Sequence, residues 1–94
     1  MELAYITDPG HGWLLVTIGQ LEELDMTPDH FTKYSYRQGD VLALEEDLDM
    51  STFLKRYEKV FGETPLIRAK HLNEDAWIRR WNRLQQPRPG APID

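Results

Sequence analysis

One segment, residues 50–61, constrains the fold more than any other part of this sequence. Apolar residues recur in it with the period of an α-helix. They are Phe53, Leu54, Tyr57, Val60 and Phe61. Lys55 and Lys59 fall on the opposite side, and Gly62 follows the last apolar residue, where a left-handed helix ending favours glycine. The pattern predicts an amphipathic helix over residues 50–61 that buries one face against another element.

Short runs rich in β-branched, aromatic and leucine residues precede this helix, and glycine-containing turns separate them. The predicted strands are residues 3–6, 13–18, 34–37 and 41–44. Pro9, Gly10 and Gly12 lie between the first two runs, and Gly39 lies between the last two. Such turn residues between strand-like runs predict two β-hairpins. A short helix over residues 19–25 is predicted between the hairpins.

The sequence after the principal helix predicts its secondary structure less clearly. Residues 65–71 alternate as a strand beginning near Pro65 would. For residues 73–84, two patterns compete. Helical spacing groups Trp77, Ile78, Trp81 and Leu84, whereas strand alternation groups Trp77, Arg79, Trp81 and Arg83. Both a helix and a strand therefore remain open for this segment.

These elements together predict an α+β fold, with a small, mostly antiparallel sheet built from β-hairpins and the helix at 50–61 packed on one face. A chain of 94 residues is the size of one domain, which we place at residues 1–85. Residues 86–94 contain three prolines and little to bury, so they are predicted to form a flexible tail.

Composition excludes several classes of protein. The chain has no cysteine, and hence no disulfide framework, thiolate zinc site or cysteine nucleophile. No apolar run approaches the roughly 18 residues needed to span a bilayer. The amino-terminal residues lack the basic and apolar segments of a signal peptide. We therefore expect a cytoplasmic protein without a membrane contact.

Charge is divided unequally along the chain. Residues 1–50 carry a net charge of −9, and residues 51–94 carry +4. One interpretation is that the two halves complement each other within the domain. The other is an acidic surface that meets a basic protein partner. The candidate partner-binding residues are Asp40, Glu45, Glu46 and Asp47.

The basic half supports a different hypothesis. Arginines alternate with Trp77 and Trp81, and basic residues interleaved with aromatics bind nucleic acid through phosphate contacts and base stacking. The candidate nucleic-acid contacts are Lys70, Arg79, Arg80 and Arg83. The acidic character of the whole chain argues against this alternative, because it repels the phosphate backbone.

A small hydrolase or metal-dependent enzyme is the third hypothesis, centred on His11 and the run Glu45–Asp47. The acidic run lacks the ligand spacing of a calcium loop, and no paired histidines have helical spacing. We predict no catalytic residue, cofactor or metal. Asp47 or Asp49 is instead predicted to cap the helix at 50–61, with Glu45 and Glu46 in solvent.

Three motifs follow one another in an order that resembles a group of short, uncharacterised reading frames of bacteriophages, prophages and plasmids. The motifs are Asp8-Pro9-Gly10-His11-Gly12-Trp13-Leu14, then Tyr34-Ser35-Tyr36 with Gly39-Asp40, then Leu44-Glu45-Glu46-Asp47 with Asp49 and Phe53. The resemblance carries no activity. It implies a turn followed by a strand at residues 71–80, although Trp77 and Trp81 depart from the pattern.

The resemblance and the charge pattern together favour a binding function. We expect a small accessory protein of a mobile element that binds a host or phage protein. An acidic inhibitor that occupies a nucleic-acid-binding surface is one form of that function.

Overall fold

Six strands form one sheet in the computed structural model of the protein, which describes residues 1–84. The strands are β1 (Glu2–Thr7), β2 (Gly12–Thr17), β3 (Tyr36–Gln38), β4 (Val41–Glu45), β5 (Leu66–His71) and β6 (Asn82–Arg83). Their order across the sheet is β5-β1-β2-β4-β3-β6. Every neighbouring pair is antiparallel except β1 with β5. The predicted α+β fold with a mostly antiparallel sheet is confirmed.

Both predicted hairpins are present. β1 and β2 pair across the turn at residues 8–11, where the Asp8 N–H donates to the His11 carbonyl at 2.9 Å. β3 and β4 pair across Gly39, whose φ of +59° is the left-handed backbone that favours glycine. Turn chemistry between strand-like runs was therefore sufficient to predict these two pairings.

The predicted strand near residues 65–71 is also present, as β5, but it does not belong to a hairpin. It runs parallel to β1, because the chain returns to that edge of the sheet through a helix. That helix is α2 (Asp49–Phe61), and Gly62 ends it with φ +73°. A shorter helix, α1 (Ile18–Glu23), follows β2 and begins with a capping box of Thr17 and Gln20.

The two faces of the sheet have separate cores. On the first face, Phe53 and Tyr57 of α2 pack on aliphatic side chains of the central strands, as the sequence predicts. The buried residues there are Leu3, Leu14, Val16, Leu21, Leu24, Met26, Phe31, Leu42, Leu44, Phe53 and Tyr57. On the second face, the buried residues are Ile6, Trp13, Tyr36, Ala43, Ala76 and Ile78. Alternation along the strands thus supplies both cores.

The second core is covered by the segment 72–81, which is neither the predicted helix nor the predicted strand. Within it, Trp77–Arg80 form one turn of 3₁₀ helix, and the two residues of β6 follow. Ala76 and Ile78 are buried, whereas Trp77 between them is 43% exposed. The helical grouping is therefore wrong: the segment contains a 3₁₀ turn and no α-helix, and Trp77, which that grouping placed with Ile78, is exposed. Ile78 to Arg80 do not form the strand that the resemblance implied.

The predicted tail, residues 86–94, and the last residue of the predicted domain lie outside the described residues. Within the described part, no helix is both long enough and apolar enough to cross a membrane.

Candidate binding cleft

The carboxylate of Asp8 organises the glycine-rich turn between β1 and β2. Its Oδ1 accepts hydrogen bonds from the N–H groups of Gly10 and His11, each at 2.9 Å. Its Oδ2 accepts from the N–H of Ala76 at 2.9 Å. The side chain of Asp8 has no exposed area. One buried carboxylate therefore shapes the local turn and anchors the segment that covers the second core.

Arg79 completes this anchor. Its Nε lies 2.6 Å from Oδ2 of Asp8, and its Nη2 lies 2.9 Å from Oδ1, which is a bidentate pair. The bonds from Arg79, followed by those from Ala76, His11 and Gly10, hold the pKa of Asp8 well below its usual range, against the opposing effect of burial. Because Arg79 is committed to Asp8, it is a structural residue rather than a free phosphate contact.

A cleft of about 350 Å³ opens beside this anchor, at the end of the sheet where β2, β3 and β4 meet the segment 77–83. Its lining residues are His11, Trp13, Tyr34, Tyr36, Glu45, Asp47, Leu48, Arg79 and Arg83. The volume falls at the lower end of the range of ligand pockets. The cleft brings together the turn motif, the Tyr34-Ser35-Tyr36 motif and the acidic run, which are distant in sequence.

Stacked aromatic and guanidinium groups form the floor of the cleft. The rings of Trp13 and Tyr36 meet edge to face with centroids 6.3 Å apart. The guanidinium carbon of Arg79 lies 5.3 Å from the Trp13 centroid, and that of Arg83 lies 4.5 Å from the Tyr36 centroid. Cation–π contacts of this kind hold the guanidinium planes in place. The bidentate pair with Asp8 also fixes the Arg79 guanidinium in this floor.

The rim combines apolar and charged groups. Tyr34 is 56% exposed and Leu48 is 52% exposed, although both are large hydrophobic side chains. Arg83 is exposed and donates from Nη1 to the Tyr34 carbonyl at 3.3 Å. The carboxylate of Asp47 is exposed and has no hydrogen-bond or ion-pair partner within residues 1–84. The rim thus offers apolar contacts and one anion to a ligand, and the Arg83 guanidinium lies between the rim and the floor.

Glu45 has a role that the sequence did not predict. Its Oε2 accepts from the N–H of Asp47 at 2.8 Å, and its Oε1 accepts from Leu48 and Asp49 at 2.6 and 3.1 Å. The N–H groups of Leu48 and Asp49 lie at the start of α2, where the helix itself provides no acceptor for them. The prediction that Asp47 or Asp49 caps the helix while Glu45 lies in solvent was therefore wrong. Glu45 caps the helix from the end of β4.

Asp49 supports the rim from beneath. It is 1% exposed, and its carboxylate accepts from the N–H of Thr32 at 3.0 Å and from the Thr32 hydroxyl at 2.8 Å. It also accepts from the buried hydroxyl of Ser35, which in turn accepts from the Glu45 N–H at 3.0 Å. This network fixes the chain on both sides of Tyr34. Sequence reasoning missed it, because it joins residues of separate elements.

The four candidate acidic residues are not adjacent in space. Glu45, Glu46 and Asp47 lie at the end of β4 nearest the cleft, whereas Asp40 lies at the opposite end, roughly 20 Å away at the rise of a strand. Glu46 accepts a hydrogen bond from the Tyr5 hydroxyl at 2.8 Å. Burial and this bond raise the pKa of Tyr5 to about 12. Asp47 is the candidate with an uncommitted carboxylate in the cleft.

The candidate basic residues are also separated. Lys70 belongs to β5, and five inter-strand spacings, or roughly 24 Å, separate it from the strand that carries Arg83. Arg83 lines the cleft, whereas Arg80 is exposed and is not among its lining residues. The structure therefore does not join Lys70 with Arg83 in one basic patch.

His11 lies in the cleft with Glu45 and Asp47, so the residues of the enzyme hypothesis do meet there. The imidazole packs near Trp13, with centroids 6.0 Å apart, and makes no hydrogen bond within residues 1–84. Both carboxylate oxygens of Glu45 already accept hydrogen bonds from backbone N–H groups at the start of α2. In the described part of the chain, no group of three or more His, Asp or Glu residues could hold a metal ion.

In comparisons with known proteins, no family model matches the chain, and neither a curated protein nor a solved structure is significantly similar to it.

Proposed function

We propose that this chain is a protein-binding module and that its partner docks in the cleft beside the Asp8–Arg79 pair. The observation that carries the proposal is the exposure of Tyr34 and Leu48 on the rim of one cleft whose floor is formed by aromatic rings and guanidinium groups. Large side chains left exposed around a concave surface are typical of interaction sites.

The composition of the cleft favours a protein over a small molecule. Tyrosine, tryptophan and arginine are the residues enriched at the energetic centres of protein interfaces, and this cleft combines all three. Its aromatic floor is already covered by the guanidinium groups of Arg79 and Arg83. A ligand therefore meets a broad, mixed surface rather than a deep apolar pocket.

The negative charge of this chain indicates that a basic surface of the partner docks in the cleft. The chain carries a net charge of −5, and Asp47 offers an unpaired carboxylate at the rim beside Glu46. A basic surface on the partner would be attracted during approach and would place a lysine or arginine near Asp47. As an accessory protein of a mobile element, such a module would inhibit a nucleic-acid-binding protein by covering its basic groove.

The test is affinity capture from the native host with immobilised protein. The wild type is compared with Tyr34→Ala/Leu48→Ala, and Val60→Ala is the control, since Val60 is 48% exposed near the end of α2 and does not line the cleft. We expect a specific protein to be retained by the wild type and the control but lost by the rim variant. Asp47→Lys should slow association and weaken its dependence on salt.

Two results would contradict the proposal. One is retention of the same partner by the rim variant. The other is a shift of duplex DNA at sub-micromolar concentration and about 150 mM salt, if Arg80→Glu with Arg83→Glu abolishes it. The second result would replace protein binding by nucleic-acid binding.

A further inference from the structure

β5 is an edge strand that is exposed along almost its whole length. Of its six residues, all but Ile67 are exposed, and Ile67 is half-buried. β1 lies on one side of it, and within residues 1–84 no strand lies on the other. A row of backbone N–H and C=O groups on such an edge can pair with another chain.

The register identifies which groups face outward. The N–H of Leu66 donates to the Met1 carbonyl at 3.2 Å, and that of Leu72 donates to the Thr7 carbonyl at 2.8 Å. Backbone direction alternates along a strand, so the even-numbered residues between them also face β1. Ile67, Ala69 and His71 therefore direct their N–H and C=O groups away from the sheet.

The side chains beside this edge are cationic on one face. Arg68 is aligned with Ala4, and Lys70 is aligned with Ile6, so both project from the face of the second core. Arg68 forms an exposed ion pair with Glu2, whereas Lys70 has no ion pair within the described residues. The edge thus combines free hydrogen-bonding groups with a net positive face.

This charge pattern opposes pairing of β5 with a second copy of itself. Directly opposed residues of an antiparallel pair share a face, so a two-fold pairing of β5 has two well-overlapped registers. The register centred on residue 68 places Arg68 opposite its own copy. The register centred on residue 69 places Arg68 opposite Lys70. Like charges directly opposite each other destabilise a sheet.

We propose that the edge of β5 binds an extended, acidic segment of a partner protein by strand addition. Ile67, Ala69 and His71 would provide the backbone hydrogen bonds, and carboxylates at alternate positions of the segment would face Arg68 and Lys70. This surface is separate from the cleft, and the inference does not depend on the function proposed for the cleft.

The probe is a labelled synthetic peptide in which glutamate and valine alternate, and its counterpart with lysine in place of glutamate is the control ligand. We expect the glutamate peptide to bind and to slow hydrogen exchange of the Ile67, Ala69 and His71 amides, which are unprotected in the free protein. The lysine peptide should bind roughly tenfold more weakly, since at least two cross-strand pairs change from attractive to repulsive.

Two variants separate strand addition from simple charge attraction. Ala69→Pro removes one outward N–H that has no partner within the sheet, and it should abolish binding, whereas Ala69→Val keeps the N–H and should retain binding. Arg68→Glu with Lys70→Glu should reverse the preference in favour of the lysine peptide. Circular dichroism checks that each variant is folded.

Several results would overturn the proposal. Equal binding of the two peptides would remove the charge argument. Undiminished binding to Ala69→Pro would remove the backbone argument. Protection of the Ile67, Ala69 and His71 amides in the free protein would show that the edge is already occupied. If the free chain forms a dimer and Ala69→Pro disrupts it, the edge of β5 binds a second copy of the chain rather than an acidic segment.

Discussion

The two faces of the sheet are covered in different ways. On the first face, α2 presents Phe53 and Tyr57 to aliphatic side chains of the strands, and the buried carboxylate of Asp49 adds polar contacts at its first turn. On the second face, an irregular segment buries only Ala76 and Ile78 and is fastened by the carboxylate of Asp8. Burial of apolar area stabilises the first face, whereas one charged anchor positions the second.

The two faces of the sheet therefore have different roles: the first mainly stabilises the fold, and the second carries the cleft. The first face forms the larger core, and none of the buried apolar residues of that core lines the cleft. The second face bears Arg79 and Arg83, and the cleft exists because its covering segment is held beside β2 and β3. Changes on the first face should therefore affect the whole fold, whereas changes at the anchor should affect mainly the cleft.

The largest expected effect comes from the first face. Phe53→Ala removes a fully buried aromatic ring and should lower the free energy of unfolding by about 3–5 kcal/mol. Phe61→Ala is the control on the same helix, because Phe61 is 46% exposed, and it should cost less than about 1.5 kcal/mol. Urea denaturation measures both. Similar losses for the two variants would mean that α2 is not anchored by its buried face.

A smaller effect is expected at the anchor. Asp8→Asn removes the charge that Arg79 binds but keeps the shape of the side chain, and it should cost about 2 kcal/mol. Asp75→Asn is the control, since that carboxylate is largely exposed and lies 4.0 Å from Nε of Arg79. It should be nearly neutral. If both variants are neutral in urea denaturation, the Asp8–Arg79 pair does not anchor the segment.

The anchor also predicts a dependence on pH. Because the folded-state pKa of Asp8 is lowered, its contribution to stability is complete above the ordinary aspartate value of about 4 and is lost as the pH falls below it. Asp8→Asn should therefore lose less stability than the wild type between neutral pH and about pH 3. Parallel stability curves for the two proteins would contradict this assignment.

The smallest effect is expected at Tyr5. Its pKa is raised to about 12, so the fold favours the neutral phenol, and the associated stability is lost only as the pH rises through roughly 10 to 12. Phenolate absorbance should show one tyrosine that titrates late, and Tyr5→Phe should remove that component. A titration unchanged by Tyr5→Phe would assign the late component to another tyrosine.

The same contrast explains what could be predicted from sequence. Both hairpins and α2 were predictable, because glycine turns and helical periodicity act between near neighbours along the chain. The segment 73–84 was not, because its conformation depends on Asp8, which is 71 residues from Arg79 in the chain. Local spacing placed Trp77 and Trp81 in competing patterns and contained no sign of that contact.

The candidate site was predicted in part for a similar reason. The motifs containing His11, Tyr34 and Glu45 were identified, and they do meet at one cleft. The role of Glu45 was not apparent from the sequence. Its carboxylate accepts hydrogen bonds from backbone N–H groups three and four residues further along the chain, across the boundary between β4 and α2. Asp40 was grouped with Glu45 by charge alone, and the length of β4 separates them.

The Asp8 anchor, and not the α2 core, holds the segment that builds the cleft. We test this role of Asp8 by native-state hydrogen exchange of Asp8→Asn. The amides of Arg79 and Trp81, which donate to Ala76 and Ile78 at 3.1 and 2.9 Å, should lose protection selectively. Those of α2 and β4 should decline only as far as global stability does. Equal loss at every amide, or none at Arg79 and Trp81, would contradict the claim.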